Sequence, residues 1–160
     1  MPAGRLGGTL VSIELVKYPD VFLRKVSKDV AFPIDDKTKR LITWMTRAMY
    51  QHNGIGLAAI QVGYDVRMFT MDCTRYQDKP QVFINPTIVK NSEEAITDSE
   101  GCLSAPGKQG EVKRYIRITL NYKDEKGDEK QKTFYNLEAR CIQHEMDHLE
   151  GRLCIDYEKG

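Results

Sequence analysis

Histidine is scarce in this chain, with three among 160 residues, and little else in the composition is extreme. No apolar run approaches the ~20 residues that a membrane-spanning helix needs, so no membrane partner is expected. Neither sign of charge is in excess. The 24 Lys and Arg stand against 23 Asp and Glu, for a net charge of +1, and the two signs are interspersed. That leaves no basic face for nucleic acid. The four cysteines have no paired spacing and follow no convincing secretory leader, which excludes a disulfide framework and reads as cytosolic thiols. Internal repeats are missing too. Residues 1–9 are rich in glycine, with Arg5 their only basic residue, which reads as a flexible leader rather than an organelle signal. Residues 10–160 then make one domain, long enough to bury roughly two-thirds of its surface.

Two of the three histidines fall in a single stretch, His144-Glu145-Met146-Asp147-His148. Residues four apart on a helix share a face, so His144 and His148 can grip one metal ion from a single rigid element. Glu145 follows the first of them and can reach water at the ion without ligating it. Two ligands with an adjacent general base are the signature of a hydrolytic metal site.

A third ligand is needed. The chain after His148 offers only Glu150, Asp156 and Glu158, and Glu150 cannot face the same way as His148 on a helix. His52, in Gln-His-Asn-Gly, reads as a solvated helix end. Cys73 ends an apolar strand-like run and Cys154 sits in Leu-Cys-Ile; both read as buried small hydrophobes. Cys141, three residues before His144, either lines the site or simply packs. Cys102 stands apart in Glu100-Gly101-Cys102-Leu103-Ser104-Ala105-Pro106-Gly107, where glycine and proline give an irregular backbone that can present a thiolate.

Three motifs now stand in order: Gly54-Ile-Gly-Leu-Ala-Ala-Ile-Gln61, Glu100-Gly-Cys-Leu-Ser104 and Gln143-His-Glu-Met-Asp-His148. With them the chain, from about Leu15 to Tyr157, resembles the peptide deformylases, which remove the formyl group from the N-terminal methionine of newly made proteins. The resemblance implies Cys102, His144 and His148 as ligands of one divalent ion, with the fourth tetrahedral position open. Ferrous iron is the native ion it implies, and zinc, nickel or cobalt would suit purified protein. It implies Glu145 as the general base, and Gln61 and the Leu103 N–H as donors to the oxyanion. Gly56 and Gly101 would lie along the bound peptide, with Ile55, Leu137 and Cys141 forming an apolar pocket for the methionine side chain. The expected partners are N-formylmethionyl nascent peptides, met by a monomer. Bacterial members usually continue past the segment matching Asp156-Tyr157 into a C-terminal helix or tail, which in some docks on the ribosome. Any ribosome association of this chain is expected to do without it. Short forms also occur in bacteriophages, so the expected location is the cytoplasm of a bacterial cell, or of a phage host. A metallopeptidase or other amidase using the same Cys/His/His site is the alternative. A purely structural metal site would close all four positions with protein ligands, and no good fourth ligand is evident.

The coarse pattern mixes helix and strand. A helix is predicted from Asp35 or Asp36 through Leu41, Met45 and Met49 to near Gly54, with Trp44 on or beside its buried face. Strands are predicted at 66–73 and 81–85. Ile116, Ile118, Leu120 and Tyr122 alternate with polar residues, giving a half-buried strand that turns around Gly127 and returns through Thr133-Phe134-Tyr135. A second helix is predicted from Leu137 to Leu149, stopped by Gly151. Leu137, Cys141, His144 and His148 form one stripe on it. Ile142, Met146 and Leu149 form another, facing the core. Asp147 either holds a basic partner or is solvated. The fold class is α+β, with small β-sheets around a central metal-binding helix.

Overall fold

The Asp35 carboxylate accepts the Thr38 N–H at 2.8 Å and so caps α1 (Asp36–Gln51), where the sequence places its start. Leu41, Ile42, Met45, Ala48 and Met49 form its buried face, and Trp44 packs at the margin. The helix stops where Asn53 takes a left-handed backbone and the Gly54 N–H closes back on Met49. His52 is not merely solvated: its Nε2 lies 2.6 Å from the carbonyl of Ile13, because the chain before α1 runs back past the helix end.

This computed structural model describes residues 5–6, 9–10 and 12–157. Strands β1 (Arg5–Leu6) and β2 (Thr9–Leu10) form a minimal antiparallel pair. The leader expected over residues 1–9 otherwise lies outside the described residues. Strands β3 (Gly56–Ala58), β4 (Met68–Met71), β5 (Gln81–Asn91), β8 (Arg117–Lys123) and β9 (Glu129–Tyr135) build an antiparallel sheet in the order β3-β4-β5-β8-β9. Strands β6 (Ala95–Gly101) and β7 (Gln109–Tyr115) form a separate ribbon. Helix α2 (Asn136–Leu149) packs against β3, β4, β7, β8 and β9. Among the described residues the fold is therefore α+β, with small sheets around a central helix.

Two cores flank the sheet. One joins α1 to Ile13, Leu57, Met68 and Ile84. The other joins α2, through Ala139, Ile142 and Leu149, to Phe69, Phe83, Ile118 and Phe134. Phe83 anchors the second core, stacked on Phe69 at 4.9 Å and edge-on to Phe134 at 5.7 Å.

The strand predicted at 81–85 runs on to Asn91, straight through Pro86. Proline has no N–H to give the ladder, and the register shifts between Ile84 and Thr87 to accommodate it. Asn85 takes a left-handed backbone at the bulge and bonds the Val30 N–H and carbonyl through its amide. The returning strand starts at Glu129 rather than Thr133 because β8 and β9 pair along their whole length. The strand predicted at 66–73 shortens to four residues, and Cys73 is half-exposed beyond its end.

Helix α2 ends as the sequence indicates. Gly151 takes φ +76°, and the Arg152 N–H donates to Asp147 at 2.9 Å. A Cβ at Gly151 would lie 2.4 Å from the Arg24 carbonyl oxygen, so glycine is required there twice over.

Candidate active site

Helix α2 supplies His144 and His148, and the ribbon supplies Cys102, one residue past the end of β6. The cysteine sulfur and one nitrogen of each imidazole all lie within 4.8 Å of one another. Cys102 Sγ is 3.4 Å from Nε2 of His148. His144 turns its Nδ1 to Glu100 at 2.8 Å, which leaves Nε2 as its free ring atom.

Glu100 is the hub of a buried charge network. It accepts from Arg114 Nε and Nη2, both at 2.9 Å, and from Arg140 Nη1 at 2.6 Å, besides His144. Arg114 also reaches Asp147 at 2.8 Å, and the Tyr157 hydroxyl donates to the same carboxylate oxygen at 2.7 Å. Asp147 therefore holds a basic partner. Burial alone would raise the Glu100 carboxyl, but the bonds from His144 and Arg114 outweigh it and hold Glu100 well below the usual carboxylate range. Burial alone would lower His144, and the Cys102 sulfur and Glu100 carboxylate outweigh that and raise it. The pocket around His144 thus favours positive charge.

Glu145 is buried, and burial pushes its carboxyl up to about 7 although the His144 charge opposes this. Among the described residues, Glu145 Oε1 and His148 Nδ1 are buried with no partner. Orphaned polar atoms of this kind mark places where solvent or an ion belongs. One thiol and two imidazoles, with orphaned polar atoms beside them, fit a divalent ion of the borderline class.

These groups border a cavity of about 850 Å³, whose lining includes Ile55, Gly56, Gln61, Gly101, Cys102, Leu103, Leu137, Cys141, His144 and Glu145. Every site residue expected from the sequence therefore stands on its wall except His148, which is fully buried behind it. Gly56 is pressed against the reacting groups: a Cβ there would lie 2.6 Å from Cys141 Sγ and 2.7 Å from a Glu145 oxygen. Leu137 is 53% exposed and Ile55 37%, so the apolar side of the cavity is open to a ligand. Gln61 sits in a short 3-10 turn, Ala59–Val62, directly after β3. Its Oε1 accepts the Ala58 N–H at 2.9 Å, which fixes its orientation and turns Nε2 toward Ser104 Oγ at 3.0 Å and Cys102 Sγ at 3.7 Å. Among the described residues the Leu103 N–H has no backbone acceptor.

The residues missed in the sequence are Arg114, Arg140 and Ser104, together with the role of Glu100. Only Glu100 carried a signal, since a carboxylate two residues before a ligand can steady a neighbouring imidazole.

Residues 12–159 match the family model described as Polypeptide deformylase. The peptide deformylase of Rhizobium meliloti is 46% identical over 145 residues, covering 89% of this chain and 83% of that protein. The crystal structure of peptide deformylase from Thermotoga maritima superposes with a TM-score of 0.86 at 37% identity, covering 92% of this chain and 97% of that one. A peptide deformylase from Synechococcus elongatus, solved in complex with actinonin, gives a TM-score of 0.86 at 39% identity, covering 92% of this chain and 80% of that one. The chain belongs to the polypeptide deformylase family.

Proposed function

We propose that this protein removes the formyl group from the N-terminal formylmethionine of nascent polypeptides, releasing formate, with Cys102, His144 and His148 holding one divalent ion. The observation that carries the reading is the gathering of one sulfur and two imidazoles within 4.8 Å, beside a buried carboxylate on a cavity wall. Ferrous iron is the native ion in this reading, on the resemblance to the family, and zinc, nickel and cobalt suit the same donors. Bound there, a divalent ion supplies Lewis acidity, which acidifies water and draws charge from a carbonyl oxygen.

The chain's own residues do the rest. Glu145 takes a proton from the attacking water and returns it to the departing amine, a two-way task that suits a carboxyl near 7. Gln61 Nε2 and the Leu103 N–H receive the charge that develops on the formyl oxygen. Gln61 does so by redirecting the amide proton that faces the Cys102 sulfur. Ile55, Leu137 and Cys141 offer the methionine side chain an apolar wall, while Gly56 and Gly101 let the peptide backbone approach. Arg114 and Arg140 hold Glu100, and Glu100 holds His144. In this reading the protein works in the cytoplasm of a bacterial cell or of a phage host, where formylated chains leave the ribosome. Among the described residues no helix is long and apolar enough to cross a membrane.

The test is formate release from a formyl-Met-Ala-Ser peptide by protein purified anaerobically and loaded with ferrous iron. Glu145→Gln should keep its metal and lose about 10²–10⁴ in turnover. Near-normal turnover in that variant would remove Glu145 as the base. Equal hydrolysis of the acetylated peptide would point to a general amidase instead.

A further inference from the structure

The four cysteines occupy three environments. Cys102 stands in the metal site. Cys154 is buried behind Glu100 and His144, its sulfur 3.5 Å from the Glu100 carbonyl oxygen, and burial pushes its thiol up to about 12. Cys73 and Cys141 belong to one packed cluster, Cys141 within it and Cys73 at its edge.

The backbone explains the encounter. Met71, the last residue of β4, pairs with Gly56, and the next N–H, that of Asp72, donates to the Ile55 carbonyl at 2.8 Å. Cys141 Sγ comes within 3.8 Å of the same carbonyl oxygen from α2. The chain leaving β4 and the metal-bearing helix therefore meet at Ile55, on the wall of the cavity. Cys73 is half-exposed, whereas Cys141 is buried. The function proposed above uses Cys141 only as an apolar wall and gives Cys73 no role.

We propose that Cys73 and Cys141 form a reversible disulfide under peroxide, a modification site that ties the chain leaving β4 to α2 at the wall of the substrate cavity. The Cys73 sulfur attacks one peroxide oxygen, the O–O bond breaks, and water leaves a sulfenic acid on Cys73. The Cys141 sulfur then attacks Cys73, the S–O bond breaks, and a second water leaves. Two thiols and one hydrogen peroxide thus become one disulfide and two waters, with two electrons passing from sulfur to oxygen. Exposure sets the order of events: half-exposed Cys73 meets the peroxide first, and its neighbour Cys141 holds the Cys73 thiol below its ordinary value, while Cys73 and burial push Cys141 well above. Cys141 Sγ lies where a Cβ on Gly56 would touch it, so drawing that sulfur toward Cys73 changes the cavity wall beside the reacting groups.

The experiment uses zinc-loaded protein, in which Cys102 is held by the metal and the ion has no redox chemistry of its own. After stepwise hydrogen peroxide and alkylation of remaining thiols, a non-reducing digest is mapped by mass. A peptide pair joining Cys73 to Cys141, two hydrogens lighter and restored by dithiothreitol, is expected in the wild type and absent in Cys73→Ser. A disulfide through Cys102 or Cys154, or oxidation of Cys73 that stops at sulfinic acid with Cys141 free, overturns the proposal. The mass map stands whether or not the protein is a deformylase. The second arm rests on that reading. The KM for a formyl-Met peptide should rise about tenfold on oxidation, the order of effect of reshaping an apolar pocket, and Cys73→Ser should show the reduced KM before and after peroxide. A disulfide that leaves KM unchanged overturns its effect on the cavity.

Discussion

Glu100 accepts a 2.8 Å hydrogen bond from Nδ1 of His144, and His144 in turn lies beside the Cys102 sulfur. The carboxylate fixes which ring nitrogen faces the donors and which way the ring points. Partners of this kind usually contribute 10- to 100-fold in metal affinity or activity. Glu100→Gln should therefore weaken metal retention by about that factor, read by competition with a chelator of known affinity. It should also soften the ribbon, because Arg114 and Arg140 lose their shared anion. Unchanged retention would mean that Glu100 serves the ribbon alone.

Gly56→Ala tests the closeness of β3 to the reacting groups. The added methyl would enter space held by Cys141 Sγ and Glu145. Glu145 lies on a packed helix and cannot retreat cheaply, and a displacement of about 1 Å at a catalytic group can cost 10²-fold. A loss of this order in kcat/KM, with metal content intact, is expected from steady-state kinetics and metal analysis together. Normal kinetics would show that the wall yields.

The identity of the ion is open to a direct comparison. If ferrous iron is native, protein handled in air should lose activity as the metal oxidises, and ferrous iron added anaerobically after chelation should restore it. Full activity in aerobic protein shown by metal analysis to carry zinc would overturn the assignment.

Stability in acid should depend on Asp72. Burial alone would raise its carboxyl, but bonds from Thr74, the Tyr50 hydroxyl and the Lys79 N–H together lower it. A carboxyl lower in the folded state contributes stability that is complete above its unfolded value, about 3.9, and is lost as pH falls through the folded value. Asp72→Asn should therefore cost about 1–3 kcal/mol near neutrality. In urea unfolding, the gap from wild type should close below about pH 3.9. A gap that stays constant into acid would mean that Asp72 acts through packing.

Helix α2 was legible because its sequence carries a period and a metal motif at once: His144 and His148 repeat at four, and Ile142 and Leu149 mark the core side. α1 was legible from the Asp35 cap and its Leu41-Met45-Met49 face. The β6–β7 ribbon was not. Its first strand reads Ala-Ile-Thr-Asp-Ser-Glu-Gly, mostly exposed, so no apolar alternation announces it. Arg114 gave no local signal either, since its partners lie 14 and 33 residues away and meet it only in three dimensions. Strand β5 was cut short at Pro86 because the rule against proline in strands ignores bulges. For the site, spacing revealed the pair of imidazoles, the glycine and proline around Cys102 set it apart from the other cysteines, and the resemblance gave it the place of third donor, because it comes from another element.

That split origin bears on how long an ion held there would stay. Cys102 rides on the ribbon, both imidazoles ride on α2, and the ribbon is clasped to the helix by Arg140, which donates to the carbonyls of Ile96 and Val112. The three donors are neighbours only while the clasp is shut. On the proposed reading, unfastening the ribbon would part Cys102 from the two imidazoles, so whatever steadies this two-stranded flap should slow the leak of metal.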